Sequence, residues 1–246
     1  LLNSDVEVDP RWIDPMVALL EADATIGACQ PKVLSFSEKD SFEYAGAAGG
    51  WIDALGYPFS RGRVFDVCEQ DHGQYDQSGP IFWATGAAMM IRSNLFHQLN
   101  GFDDHFFAHQ EEIDLCWRAK NLNYNIKYVG ASTVYHVGGA SLNNSNPKKT
   151  YLNFRNSLYS LVKNTQHQLI TIIYLRLLLD GIAGLKFLFQ GELNHTFAIV
   201  KAHLNFYQAL PSLLKFRWQH PKNTHNQLKS IVWSYYVRNK KNYNNL

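Results

Sequence analysis

The chain has 246 residues, 46% of them hydrophobic and 18% charged, with a formal net charge of +2. That much apolar material excludes a disordered tail, and a balance so close to neutral leaves no strong nucleic-acid footprint. Three widely spaced cysteines, Cys29, Cys68 and Cys116, form no CxxC pair, which favours reduced thiols over a zinc or redox centre.

Leu1-Leu2 before Asn3-Ser4-Asp5 predicts a buried strand end entering a turn, so the chain reads as opening inside a domain. Asp9 as N-cap with Pro10 behind it predicts a helix carrying Trp12, Ile13, Met16, Leu19 and Leu20. A strand is expected over 28–36. Residues 41–79, rich in Gly, Tyr and Asp, read as a long irregular loop with short strands, a feature more often functional than idle. The apolar run 81–92 reads as a buried strand. A short helix over 93–99 is closed by Asn100-Gly101. An aromatic loop follows over 102–108, then a helix over 111–121 and short strands over 125–129 and 133–136.

Beyond Pro147 helical periodicity takes over, across 149–164, 168–189 and 194–218, with an amphipathic helix over 227–239 after a polar break. Acidic residues nearly vanish there: after Asn143 only Asp180 and Glu192 remain, while Lys and Arg recur. Two units are therefore expected, an α/β part over 1–164 and a helical extension over 165–246. No run of about 18 uncharged apolar residues predicts a spanning helix. The segment 165–218 is apolar with interspersed cations. It reads either as an interfacial membrane contact or as helices packed on the domain or on a second copy in a homo-oligomer.

Three groups of residues carry chemistry. Asp5 and Glu7 lie two apart, so in extended backbone their carboxylates share a face. Hard divalent cations take such oxygens; the plain alternative is a solvated turn. Glu111, Glu112 and Asp114 crowd a helix start, where the helix dipole alone favours carboxylates, and Asp114 with Arg118 has the spacing of an i, i+4 ion pair. The surrounding Phe102, Phe106, Phe107 and Trp117 suit a partly dry pocket in which a carboxylate acts as general base. His136, at a strand end before Gly138-Gly139, is either a core histidine or a neutral imidazole ligand.

In order, the motifs are Asn-Ser-Asp-Val-Glu at 3–7, Ala-Thr-Gly-Ala-Ala-Met-Met-Ile-Arg at 84–92, Gly-Phe-Asp-Asp-His-Phe-Phe at 101–107, Glu-Glu-Ile-Asp-Leu-Cys-Trp-Arg at 111–118 and His-Val-Gly-Gly-Ala-Ser at 136–141. This series resembles family 2 glycosyltransferases, especially bacterial rhamnosyl- and galactofuranosyltransferase-like members, from Leu1 to about Asn164. The resemblance implies a partial GT-A fold, a mixed sheet flanked by helices, without the nucleotide-binding strands that precede the DxD motif in relatives. This chain alone would then bind sugar nucleotide weakly and be inactive. It implies that Asp5, Glu7 and His136 hold Mn2+ or Mg2+ against the donor diphosphate, although Glu7 stands where the family often has Asp. Glu112 would be the catalytic base, with Glu111 and Asp114 behind it. Trp83, Thr85, Gly86, Phe107, Trp117 and Arg118 would bind substrate. The implied activity is inverting transfer from a nucleotide-sugar donor to a saccharide or lipid-linked acceptor of a cell-surface glycan. The implied location is cytoplasmic, with the inner face of the plasma membrane as one seat. The rival reading is a non-catalytic module that binds glycan, membrane or a partner. A phosphohydrolase or nucleotidyltransferase would need further phosphate-binding motifs that the sequence lacks.

Overall fold

The structure, a computed structural model, describes residues 1–138, 146–217 and 228–246. In chain order the elements are β1 (Val6–Val8), α1 (Asp14–Ala22), β2 (Ile26–Ser35), β3 (Gly50–Ile52), β4 (Pro58–Ser60), β5 (Arg63–Val64), β6 (Val67–Cys68), β7 (Gly79–Ile81), β8 (Met90–Ile91), α2 (Ser93–Gln98), α3 (Glu111–Asn121), β9 (Asn125–His136), α4 (Pro147–Asn164), α5 (Leu169–Phe189), α6 (Leu193–Lys215) and α7 (Ile231–Tyr236). The result is a mixed α/β fold with a helical carboxyl-terminal part, as expected from the sequence.

The main sheet is built on two long strands. β2 and β9 run parallel from Ile26/Asn125 to Ser35/His136. β8 adds antiparallel to β2, while β1 and β7 both pair antiparallel with β9. β2 is buried along nearly its whole length, as a strand covered on both faces must be. Its Ala28 and Leu34 join Ile126, Tyr128, Trp83 and Trp117 in the largest core cluster. Residues 41–79 hold a second small sheet, β3-β4-β5-β6. Trp83 lies flat on Gly50 of that sheet, where a Cβ would overlap the indole.

Several sequence expectations change. The first helix begins at Asp14 with Ile13 as N-cap and Pro15 in its first turn, because Asp9 instead closes a tight turn by accepting from the Trp12 amide. Leu1 and Leu2 pair as a strand end, with Leu1 exchanging hydrogen bonds with Met89 and Leu2 bridging Ala88, but both are about half exposed rather than buried. The run 81–92 is buried but is not one strand: β7 and β8 flank a turn in which the Thr85 amide donates to the Gln30 side chain. The two strands expected over 125–136 are one, with its pairing to β2 shifted between Pro31 and Lys32. The final helix is only Ile231–Tyr236. Gly139, Ser141 and Trp218 lie outside the described residues.

The helical part is fastened by a buried polar knot. Arg176 on α5 pairs with Asp180 at 2.7 Å and donates to the Leu55 carbonyl, and the Tyr57 hydroxyl donates to Asp180 at 2.8 Å. Asp53 accepts from the Ile231 amide at 2.8 Å and so fixes the start of α7. Buried charges are tolerable when paired and hydrogen-bonded in this way. Among the described residues no helix is long and apolar enough to cross a membrane.

Candidate active site

A cleft of about 1880 Å³ opens where β9 ends, between the first turn of α3, the loop after β2, and α5 with α7. Ligands of open α/β sheets gather at the carboxyl ends of parallel strands, and His136 is the last residue of β9. Trp83, Thr85, Gly86, Phe107, Glu111, Glu112 and His136 line this cleft.

Glu111 and Glu112 start α3 after a strained approach. Phe107, His109 and Gln110 all adopt left-handed backbone, a conformation costly for side-chain-bearing residues and common at functional sites. What holds it is Asn156 on α4, whose amide donates to the carbonyls of Phe106, Ala108 and His109 at 3.0, 2.8 and 2.7 Å. Burial pushes Glu112 up to about 8, with the adjacent Glu111 charge adding to it; burial also raises Glu111. A carboxyl held up in this way is suited to proton exchange near neutral pH. Gly86 faces it: a Cβ on Gly86 would stand 3.8 Å from the Glu112 Cβ.

On another wall, the pairing of Val6 with His136 carries Asp5 to the imidazole. Asp5 Oδ1 lies 3.3 Å from His136 Nε2, and Glu43 Oε2 lies 3.2 Å from Nδ1. Neither contact is aligned as a hydrogen bond, and both ring nitrogens are buried without such a partner. The pull of Glu43, aided by Asp5 and opposed by burial, raises the basicity of the ring. Glu43 is itself oriented by the Ala45 amide.

Glu7 does not join this group. Its carboxylate pairs with Lys39 at 2.5 Å, and it does not line the cleft. Among the described residues no three His, Cys, Asp or Glu side chains converge on one point: Asp5 and Glu43 face opposite nitrogens of one ring. The pair Asp5 and His136 nevertheless fits a divalent cation that takes most of its shell from ligand phosphates, the usual way magnesium is held. The buried Nε2, which has no aligned hydrogen-bond partner and faces Asp5, supports that fit.

Asp114, Trp117 and Arg118 point away from the cleft. Asp114 is fully buried and accepts from Arg118 Nε at 2.7 Å, Lys163 Nζ at 3.0 Å and Asn164 Nδ2 at 2.8 Å. Arg118 also donates to the carbonyls of Leu99 and Gly101. The ring of Trp117 meets Phe82 edge-on in the core. Residues two apart on a helix are about 200° apart around its axis, so Glu112 and Asp114 cannot serve one pocket. Their spacing with Arg118 carries its structural meaning, an i, i+4 pair.

The sequence reading also missed cleft residues: Glu43, Tyr44, Arg63, His109 and Lys149. Tyr44 is flanked by two cations, with Arg63 4.2 Å and Lys149 4.9 Å from its ring. All but His109 and Lys149 lie within residues 41–79, where no periodicity marks which side chains face inward.

No family model matches the chain. It is 26% identical over 141 residues to N-acetylglucosaminyl-diphospho-decaprenol L-rhamnosyltransferase of Mycobacterium tuberculosis, covering 54% of this chain and 45% of that protein. It is 28% identical over 121 residues to a low-salt glycan biosynthesis hexosyltransferase of Haloferax volcanii, covering 47% of this chain and 39% of the relative. Rhamnosyltransferase WbbL of Escherichia coli K12 is 37% identical over 56 residues, 23% of this chain and 21% of that one. The chain thus spans less than half the length of these curated relatives. Among solved structures, GalNAc-T7 with UDP, GalNAc and Mn2+ overlays with a TM-score of 0.46 at 15% identity, over 68% of this chain and 31% of that one, too loosely to bear on the site. By sequence, the chain is similar to rhamnosyl- and hexosyltransferases of glycan assembly.

Proposed function

We propose that this chain is the acceptor- and metal-side part of an inverting glycosyltransferase that moves a sugar from a nucleotide-sugar donor to a saccharide or lipid-linked hydroxyl. The observation that carries the reading is a carboxylate with raised proton affinity, Glu112, lining the same cleft as His136, against whose imidazole Asp5 lies at 3.3 Å.

In this mechanism Glu112 accepts the proton of the acceptor hydroxyl as that oxygen attacks the anomeric carbon. The new C–O bond forms while the bond from that carbon to the phosphate oxygen breaks, and the electron pair leaves with the nucleoside diphosphate. One base and one displacement give inversion. Asp5 and His136 would hold Mn2+ or Mg2+, which when bound neutralises charge growing on the leaving diphosphate. Glu43 would orient the imidazole from its other nitrogen, as carboxylates commonly do behind metal-bound histidines. Trp83, Thr85 and Gly86 would form the floor under the reacting sugar, and Phe107 would close the cleft at its rim.

The test is a donor-sugar screen on the chain within its natural polypeptide, with Mn2+ or Mg2+, reading nucleoside diphosphate release. Release is expected for one donor class and should fall about 10²- to 10⁴-fold in Glu112→Gln. Unchanged turnover in that variant would refute the assignment.

A further inference from the structure

We infer that the outer face of α5, together with α7 beside it, seats this protein on an anionic membrane surface. The sequence alone left this helical part open between a membrane contact and protein packing; the burial pattern shows which face of α5 is left for such a contact. α5 divides cleanly around its axis. Arg176, Asp180 and Gly184 face inward. The opposite arc carries Ile170, Tyr174, Leu178, Ile182, Leu185 and Phe189, all exposed, with Ile170 and Phe189 each 86% accessible. These residues recur every three or four positions and form one stripe. Among the exposed residues of α5 the only charge is Lys186. A folded protein rarely leaves so long an apolar stripe in water unless something covers it.

Three observations favour lipid as the cover. The exposed charges of α5 and α6 are Lys186, Lys201 and Lys215, with Glu192 exposed at the turn between the two helices; this mostly cationic set complements an anionic surface. Trp233 and Tyr236 of α7 are more than half exposed, and Tyr236 lies 5.0 Å beneath Lys186 Nζ. Amphipathic aromatics beside a lysine are characteristic of a bilayer interface. The same groups, Ile182, Lys186, Trp233 and Tyr236, line the end of the cleft formed by α5 and α7. A bilayer against this face would therefore border the cleft itself. Among the described residues no helix is long and apolar enough to cross a membrane, and an exposed stripe along one side of a helix suits a contact along the surface.

The test is co-sedimentation of the chain, in its natural polypeptide, with phosphatidylcholine vesicles with and without phosphatidylglycerol. Binding is expected with phosphatidylglycerol, weaker binding without it, and loss at high salt. Ile170→Asp with Leu178→Asp should weaken binding roughly ten-fold or more, with an unchanged circular-dichroism melt because both side chains are exposed. Should that pair fail to fold, Lys186→Glu with Lys201→Glu, both on the surface, must reduce binding to the anionic vesicles. Absence of vesicle binding by the unmodified protein overturns the inference, as does a concentration-dependent dimer that the Asp pair dissociates while vesicle binding persists. Vesicle binding needs no sugar transfer, so this inference and the proposed activity can fail separately.

Discussion

Asp114→Ala and Glu112→Gln, two residues apart on α3, should produce opposite defects. Asp114 neutralises Lys163 and Arg118, both nearly buried, and accepts from the Asn164 amide as well. Removing it takes a carboxylate from two buried cations at once, leaving Lys163 with Asp103 and Arg118 with the carbonyls of Leu99 and Gly101. Breaking one side of a buried ion pair costs about 3–5 kcal/mol, a large share of a total stability of about 5–15 kcal/mol. For a chain of this size each kcal/mol shifts the thermal midpoint by about 2–4 °C, so a drop of roughly 6–20 °C is expected by calorimetry. Glu112→Gln removes a charge that the fold already disfavours. Because burial lifts the Glu112 pKa from the ordinary 4.5 to about 8, the folded state binds this proton more tightly than the unfolded one. Its contribution to stability is complete below about 4.5 and is lost as pH rises towards about 8. The Gln variant lacks that loss, so at pH 8 it should melt no lower than the parent protein. If Asp114→Ala melts within about 2 °C of the parent, a shift of less than roughly 1 kcal/mol, or if Glu112→Gln is the destabilised variant, the assignment of core and cleft roles along α3 is wrong.

Four further outcomes follow from the geometry. If Glu112 is the base, kcat/KM should climb about ten-fold per pH unit below its pKa and level off near 8; a flat profile from pH 6 to 8 contradicts it. Asn156→Ala removes three hydrogen bonds to the left-handed loop before α3, so hydrogen exchange over 106–110 should accelerate and turnover fall even with donor saturating. Gly138 has φ +67 and a Cβ there would sit 2.6 Å from Glu43 Oε1; Gly138→Ala should displace Glu43 and weaken Mn2+ retention, measured by calorimetry, and normal retention would separate Glu43 from the cation. Asp103 is pushed up by burial but held down to about 2 by hydrogen bonds, led by that from Lys163. Its contribution to stability is present above the ordinary 3.8 and should fade as pH falls towards 2, a fade that Asp103→Asn abolishes in acid melts.

What the sequence disclosed depended on how local each signal was. Helix 111–121 was legible because its apolar and charged positions repeat within one turn. The loop closing at Asn100-Gly101 was legible because two successive left-handed residues announce it. The run 81–92 misled because burial and strand pairing are different properties: its amides are satisfied partly by the side chain of Gln30, which no pattern within the run reveals. Glu43 was invisible for the same reason on a larger scale, since it acquires meaning only when β2 and β9 bring its loop to His136. Glu7 shows the reverse failure. Alternation along an extended chain placed it beside Asp5, but Lys39, reaching in from the turn after β2, takes up its carboxylate.

Helix α3 serves two media at once, turning Glu112 to the open cleft and Asp114 to the dry interior. Its rotation about its own axis is set by the α4 side chains Lys163 and Asn164. Exchanges at those two positions, neither of which lines the cleft, would swing the aim of Glu112, so variation in what the cleft does need not map onto its walls.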